Sequence, residues 1–350
     1  MSGQLKTPNL TYTRRYIVIV VLLLLLPISF LIALSFGAVS VPFTYVLGSL
    51  INSDSVSRVD LIVNQIRLPR ALLAVFVGAL LGICGATTQG LFRNPLADPS
   101  LIGVTAGASA GAALTIFFAS SFAGLQGLSG LGLISLGAFI GGALAVIFVY
   151  SLATSPSGTS VATMLLAGIA ITAIAGGLTS LIEYFANNEM LRRISLWRMG
   201  GLDGASYQRV VIATIASAIS LTLLPRFSTA LNALLLGESE ARHLGISVQR
   251  IKIQIIILVA FGVATSVALA GTIAFVGLVI PHIIRLLIGP DHRYLLPMSA
   301  IGGAVLLLLS DTLARTLFAP IELPVGLVTA FLGAPFFISL LRQRHSFGMQ

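Results

Sequence analysis

Apolar runs of twenty or so residues, interrupted by charges, Pro or Gly-Ser clusters, recur from one end of the chain to the other. A helix needs about 20 apolar residues to cross a hydrocarbon layer roughly 30 Å thick. By that measure the pattern predicts helices over 16–37, 68–92, 99–120, 130–153, 161–185, 208–225, 249–270, 272–289, 294–314 and 323–341. These ten spans make the whole chain, 1–350, a single transmembrane domain, all-α and integral to a membrane. The runs are apolar all round, whereas strands of a membrane barrel alternate in polarity over about ten residues. The first run, from Tyr16 to Ala38, is too long for a signal-peptide core and lacks a small-residue cleavage site, so it is expected to remain as a span.

Composition agrees: 57% of residues are hydrophobic and 9% charged, with a mean hydropathy of +1.03. Between Pro99 and Ile182 lie 84 residues without Asp, Glu, Lys or Arg, more than a soluble core can hide. The net charge is +9, from 20 basic and 11 acidic residues. In a soluble protein that excess would point to nucleic acid. Here 18 of the cations are Arg, scattered through loops with no aromatic-interleaved basic face, so anchoring at lipid headgroups is the expectation and nucleic acid is not a partner. An even number of spans places both termini on one side. Lys6, Arg14, Arg15, Arg342 and Arg344 put that side in the cytoplasm. The resulting tally is 12 Lys and Arg inside against 8 outside. The local exceptions are Arg67 and Arg70 in RLPR before the second span, Arg192, Arg193, Arg198 and Arg209 between the fifth and sixth, and Arg315 after the ninth.

Glycines recur four apart at Gly103, Gly107 and Gly111, at Gly78 and Gly82, and at Gly137 and Gly141. In lipid, small residues at this spacing let helix backbones approach closely, which predicts a tightly packed bundle. Cys84 matches no disulfide, metal or redox spacing and reads as a small packing residue.

Several chemistries are missing. Ion-coupled carriers hold a carboxylate deep in the bundle, but Glu183, Asp311 and Glu322 fall at span ends. A P-loop needs Lys after Gly, and the only lysines, Lys6 and Lys252, follow Leu5 and Ile251. His243, His282, His292 and His345 form no metal-ligand spacing, and no GxSxG elbow occurs. No catalytic residue, metal site or permanently bound cofactor is expected. A channel or secondary carrier is disfavoured by the absent carboxylates, and uphill transport would need another chain to supply the energy.

Three loops carry more than a turn. Residues 226–248 offer an apolar stripe, Ala230, Leu231, Leu234 and Leu235, followed by Glu238, Glu240, Arg242 and His243, with breaks at Gly237 and Gly245. A short helix on the cytoplasmic surface is predicted, either simply interfacial or a docking element for a cytoplasmic partner. RNPLADPSLIG, 93–103, is a turn stiffened by Pro95 and Pro99. In AGTIAFVGLVIPHIIR, Gly271, Gly277 and Pro281 interrupt the eighth span. A broken helix is tolerated where it lines a cavity or is covered by protein, so this stretch either flanks a transport path or is a Pro kink within the packing.

RLPR (67–70), GATTQGLFRNPLADPSLIGV (85–104), LGESEARHLGI (236–246), GLVIPHIIR (277–285) and ELPVGLVTAFLGAPFF (322–337) together resemble the permease subunit of type II ABC importers, the FecCD family, over about 60–341. That family takes up ferric siderophores, haem and cobalamin. The resemblance implies a homodimer of ten-helix subunits in the bacterial inner membrane, with two ATP-binding-cassette ATPase subunits holding ATP and Mg, and a periplasmic binding protein on the other face. It implies that Leu234, Glu238, Glu240, Arg242, His243 and Gly245 belong to the coupling helices seated on the ATPase. By similarity to the cobalamin permease, it implies that Arg67, Arg70 and Arg315 meet glutamates of the binding protein. The fifth and tenth helices and the broken start of the eighth would line the path, with Pro95, Pro99, Gly271, Gly277 and Pro281 shaping it. An iron chelate, haem or a ferric siderophore, is the expected cargo, with cobalamin as the alternative. Arg192, Arg193 and Arg198 receive no role beyond anchoring.

Overall fold

The structure, a computed structural model, describes residues 8–51, 58–119, 130–156 and 158–346; Lys6, assigned to the cytoplasmic tail, lies outside them. Helix α1 spans Pro8–Ser35 and α2 Phe43–Ile51. Helix α3, Arg58–Leu61, runs through a π-helical turn, Ile62–Arg67, into α4, Leu68–Leu91. A 3₁₀ turn at Pro99–Ile102 precedes α5, Val104–Ala119, and α6 follows at Gly130–Ala153. Two-residue strands β1, Thr154–Ser155, and β2, Gly158–Thr159, form an antiparallel hairpin before α7, Val161–Phe185. Then come α8, Asn188–Arg198, α9, Tyr207–Leu223, α10, Ser228–Leu236, and α11, Glu238–His243. The last four are α12, Val248–Ala270, α13, Val276–Ile288, α14, His292–Thr316, and α15, Val325–Ser346.

Among the described residues, seven helical segments are long and apolar enough to cross a membrane, beginning at Thr13, Arg58, Gly132, Val161, Tyr207, Val248 and His292. Three shorter apolar helices, Val104–Ala119, Val276–Ile288 and Val325–Ser339, occupy the other predicted spans. Local chemistry sets several starts. Ser160, Asn187 and Ser206 each accept a backbone N–H three residues on, capping α7, α8 and α9. Asp291 accepts the Arg293 N–H at the start of α14. Helices α2, α3 and α8 and the hairpin are additions that a search for long apolar runs passes over.

Burial ranks the helices. In their most apolar windows α4 is 83% buried and α14 78%, whereas α1 is 17% and α7 22%. Helices α4, α12 and α14 therefore form the interior, while α1 and α7 leave most of their surface uncovered by this chain. The glycine spacing explains how the interior closes. A Cβ on Gly82 would collide with the Ser299 carbonyl and one on Gly303 with the Gly78 carbonyl, so α4 and α14 touch backbone to backbone. Gly107 and Gly111 of α5 do the same against Gly141 and Gly137 of α6. Gly103 departs from the expected seam: its φ of 78° ends the 3₁₀ turn instead.

Candidate functional site

The ends of α1 and α14 and the start of α4 meet in a cluster of arginines. The last carbonyls of α1 have no partner within the helix, and two guanidiniums supply donors. Arg67 Nη1 donates to the Leu34 and Ser35 carbonyls at 2.6 and 2.8 Å, and Nη2 to that of Val39. Arg315 Nη2 and Nη1 donate to Ala33 and Phe36 at 3.0 and 3.2 Å. Arg70 instead meets carboxylates: Nε and Nη2 lie 2.9 Å from Asp311 Oδ1, and Nη1 lies 2.6 Å from Glu322 Oε2. Asp311 Oδ2 is 3.0 Å from Arg315 Nε. All three arginines are at most 7% exposed.

The resemblance implied that these three meet a binding protein; in this chain they have internal partners. Arg67, Arg70 and Arg315 are brought together, but they do not stand free on an outer face. Their charge is spent on helix ends and internal carboxylates, so a partner's glutamate would have to displace Asp311 or Glu322. Lipid headgroups do not explain these residues either. The same device recurs elsewhere: Arg15 Nε caps the end of α13 at the Ile288 carbonyl, 2.9 Å, and Arg209 Nη1 reaches the Leu269 carbonyl near the end of α12, 3.1 Å. Arg192 and Arg193 are exposed on α8, and Arg198 pairs with Glu183 at 3.0 Å, both partly in solvent.

Midway through the bundle the predicted break is present. Helix α12 stops at Gly271, φ 67°, where a side chain would strike the Trp197 carbonyl, and regular helix resumes only at Val276. Pro99 and Gly277, with Asp98, Thr272 and Phe275, line a cavity of about 280 Å³ beside this break. Pro281 lies within α13 and lacks the N–H that would bond the carbonyl four residues back, that of Gly277. Gln89 of α4 compensates: its Nε2 lies 3.4 Å from the Gly277 oxygen and 3.1 Å from that of Leu278. Pro281 is thus a packed, side-chain-satisfied irregularity, while Gly277 belongs to the cavity wall. Pro95 and Pro99 sit in a turn that closes on itself, with Asn94 Oδ1 accepting the Leu96 N–H and Asp98 Oδ1 that of Ser100.

At the opposite end of α14 from the arginine cluster, about 35 Å away for a helix of this length, the 226–248 segment folds as two short helices rather than one. Gly237, φ 132°, separates α10 from α11, and Gly245, φ 80°, follows α11. The apolar stripe faces inward, with Leu231 and Leu234 buried, while Leu235 and Leu236 are exposed. Glu240, Arg242, His243 and Gly245 are exposed as well; Glu238 is half-buried.

Two polar links tie this segment to the bundle, and neither was visible in the sequence pattern. Asn232 of α10 donates to Asp291 Oδ1 at 2.7 Å and accepts the His292 N–H at 2.9 Å, joining the α13–α14 turn. Glu238 Oε1 lies 2.6 Å from Nζ of Lys252, which also donates to the Thr159 carbonyl at 2.9 Å. Lys252 is 3% exposed. Its place in the first turns of α12, two residues after Arg250, gave no signal of the pairing. Among the described residues, no group of three or more His, Cys, Asp or Glu is placed to hold a metal ion.

The model of the FecCD transport family matches residues 23–343. The hemin transport system permease protein HmuU of Yersinia pestis is 44% identical over 326 residues, covering 92% of this chain and 95% of its own. The cobalamin import system permease protein BtuC of Halobacterium salinarum is 41% identical over 286 residues, covering 81% and 74%. A solved ABC transporter of the metal-chelate type, in an inward-facing conformation, superposes with a TM-score of 0.80 at 32% identity over 94% of this chain and 99% of that one.

Proposed function

The chain belongs to the FecCD transport family, and on that premise we propose that it is one half of a symmetric importer core that passes a preformed iron chelate, haem foremost, into the bacterial cytoplasm. It is an ABC importer permease and a multi-pass membrane protein. A second copy completes the path, two ATP-binding-cassette ATPases sit beneath α10 and α11 and carry the ATP and Mg, and a periplasmic binding protein delivers cargo at the arginine-cluster end. Both termini then lie in the cytoplasm.

The observation that carries this reading is the α10–α11 segment. It has a buried apolar floor, an exposed charged ridge of Glu240, Arg242 and His243, and polar links to transmembrane helices. That is the form required of an element that receives movement from a partner and passes it inward. Helix α7 supports the dimeric path: a Cβ on Gly176 or Gly177 would meet nothing among the described residues, and Thr172, Ala173 and Ser180 beside them are exposed. A face of small, weakly interacting residues can let a large chelate pass without trapping it. ATP-driven closure of the ATPases would tilt the helices joined to α10 and α11 and open the path alternately to each side. The cargo cannot drive this itself, because a ligand shifts an equilibrium only by its differential affinity for the two states.

The test is reconstitution in proteoliposomes with a cognate ATPase and an exported binding protein. Haem, a ferric hydroxamate siderophore and cobalamin are offered in turn. Uptake that requires ATP, both partners and an iron chelate is expected, and Glu240→Lys with Arg242→Glu should weaken ATPase association. Preference for cobalamin would replace the iron-chelate assignment. Concentrative uptake by this chain alone would end the importer reading.

A further inference from the structure

We propose that Lys252 is the positioning residue through which movement of α11 reaches α7, an inference that rests on the permease reading above. Its ammonium group bonds both the first residue of α11 and the residue just before the cap of α7. Glu238 opens α11, Thr159 ends the β-hairpin, and Ser160, the next residue, caps α7 through its bond to the Thr163 N–H. Lys252 Nζ touches Glu238 Oε1 at 2.6 Å and the Thr159 carbonyl at 2.9 Å from its own place on α12. The neighbouring helices α11 and α12 and a hairpin residue 93 positions away are thus joined at a single nitrogen.

The chemistry suits lysine. A buried ammonium is tolerated only when bonded. Its three donors on a long flexible stem can hold a carboxylate and a carbonyl from different directions and stay attached while one of them shifts. Charge-assisted bonds of this kind are roughly twice as strong as neutral ones. In a chain with 18 arginines and two lysines, the cluster at the other end of α14 uses guanidiniums, whose planar fork fixes geometry; this junction uses the compliant cation.

The surroundings leave few other routes between α11 and α7. Helix α11 buries Ala241 in a small satellite core with Ala233, Leu234 and Val248, separate from the two main clusters. Helix α7 packs through one stripe, Met164 to Ile182, and is otherwise uncovered, so the hold on its start adds to that packing. Gln249 reinforces the same end: its Oε1 accepts the Thr159 N–H at 3.0 Å and its Nε2 donates to Thr159 Oγ1. Helix α12, well buried, is the fulcrum. A displacement of Glu238 then draws the ammonium and the Thr159 carbonyl with it and tilts the start of α7.

The experiment uses the full importer in proteoliposomes. Lys252→Met is expected to insert, to copurify with the ATPase and to hydrolyse ATP, while cargo moved per ATP falls about tenfold or more, within the usual range of coupling effects. Lys252→Arg, which keeps donors to both partners, should recover most of that ratio. The exchange Glu238→Lys with Lys252→Glu restores the ion pair but leaves no donor for the Thr159 carbonyl, so it should remain uncoupled. A wild-type ratio in Lys252→Met, or full recovery in the exchanged pair, overturns the proposal. Should Lys252→Met fail to insert, spin labels at Arg242→Cys and Ala162→Cys decide the matter. Their separation should hold when ATP is trapped while both move relative to a label at Gln208→Cys, and a change between them of a helical turn, about 5 Å, overturns it. Absence of ATP-dependent uptake by the wild type overturns the permease reading, and this inference with it.

Discussion

Arg70 and Asp311 lie 241 positions apart in the chain and form a bidentate, buried ion pair, with their side chains 9% and 2% exposed. Asp311 also faces Arg315, and Arg70 also holds Glu322. One carboxylate therefore sits between two guanidiniums and fixes the start of α4 against the end of α14. The pair does not by itself prove a gain in stability, since desolvating two charges offsets much of their attraction. Removing one partner is a different matter.

Replacing Asp311 with Ala leaves Arg70 and Arg315 sharing only Glu322. An unmatched buried charge costs about 3–5 kcal/mol, so the variant should melt well below the wild type in detergent. Converting Arg70 to Met at the same time should recover part of the loss. Equal melting of the single variant and the wild type would show the pair to be inert.

The two kinds of helical glycine should separate cleanly. Gly82→Ala drives a methyl into the Ser299 carbonyl and should cost about 1–3 kcal/mol through overpacking. Gly176→Ala meets open space and, with the gain in helix propensity, should leave subunit melting unchanged or slightly raised. Calorimetry of both variants checks this, and the idea fails if Gly82→Ala is the harmless one.

Gln89 should matter because Pro281 is present. Gln89→Leu leaves the Gly277 carbonyl buried without a donor, at about 1–3 kcal/mol. Pro281→Ala restores the missing N–H, so the same Gln89→Leu change in that background should cost less. A double-mutant cycle on thermal stability reads the difference, and additive effects would refute the compensation.

The pin at Asp291 predicts a pH dependence. Burial raises the Asp291 carboxyl, but the Asn232 amide, the Arg293 N–H and the charges of Arg293 and Arg15 outweigh it and hold the group below the ordinary carboxylate range. A carboxylate with a depressed folded value contributes stability above its unfolded value, about 3.9, and loses it as pH falls through the folded value. Asp291→Asn should therefore start less stable at pH 7 and lose less on acidification below about pH 4. Parallel stability curves for the two proteins would contradict this.

Much of the architecture was legible in the residues because it depends on local composition. Apolar length marks a span whatever its neighbours, and glycines four apart define a close-packing stripe before the opposing helix is known; Gly82 and Gly111 both proved to be in such seams. The missing P-loop lysine needed no fold to be noticed. The elements that were missed, α2, α3 and α8, are short and not set by long apolar runs.

The polar linkages were a different problem. Arg67 and Arg315 bond the buried carbonyls at the end of α1, 32 and 282 positions away, carbonyls that lack a partner within their own helix. In the sequence Lys252 stands out only as a lysine that does not follow Gly, and nothing in the pattern marks Asn232 or Gln89. Composition and spacing by themselves settled that this chain is a tightly packed, charge-poor membrane bundle, since hydrophobicity acts along the helix that carries it. Which guanidinium caps which helix, and which ammonium joins which loop, was decided only when the tertiary structure brought helix ends together. A buried polar group must be bonded by whatever lies within about 3 Å, and that neighbour is a property of the fold.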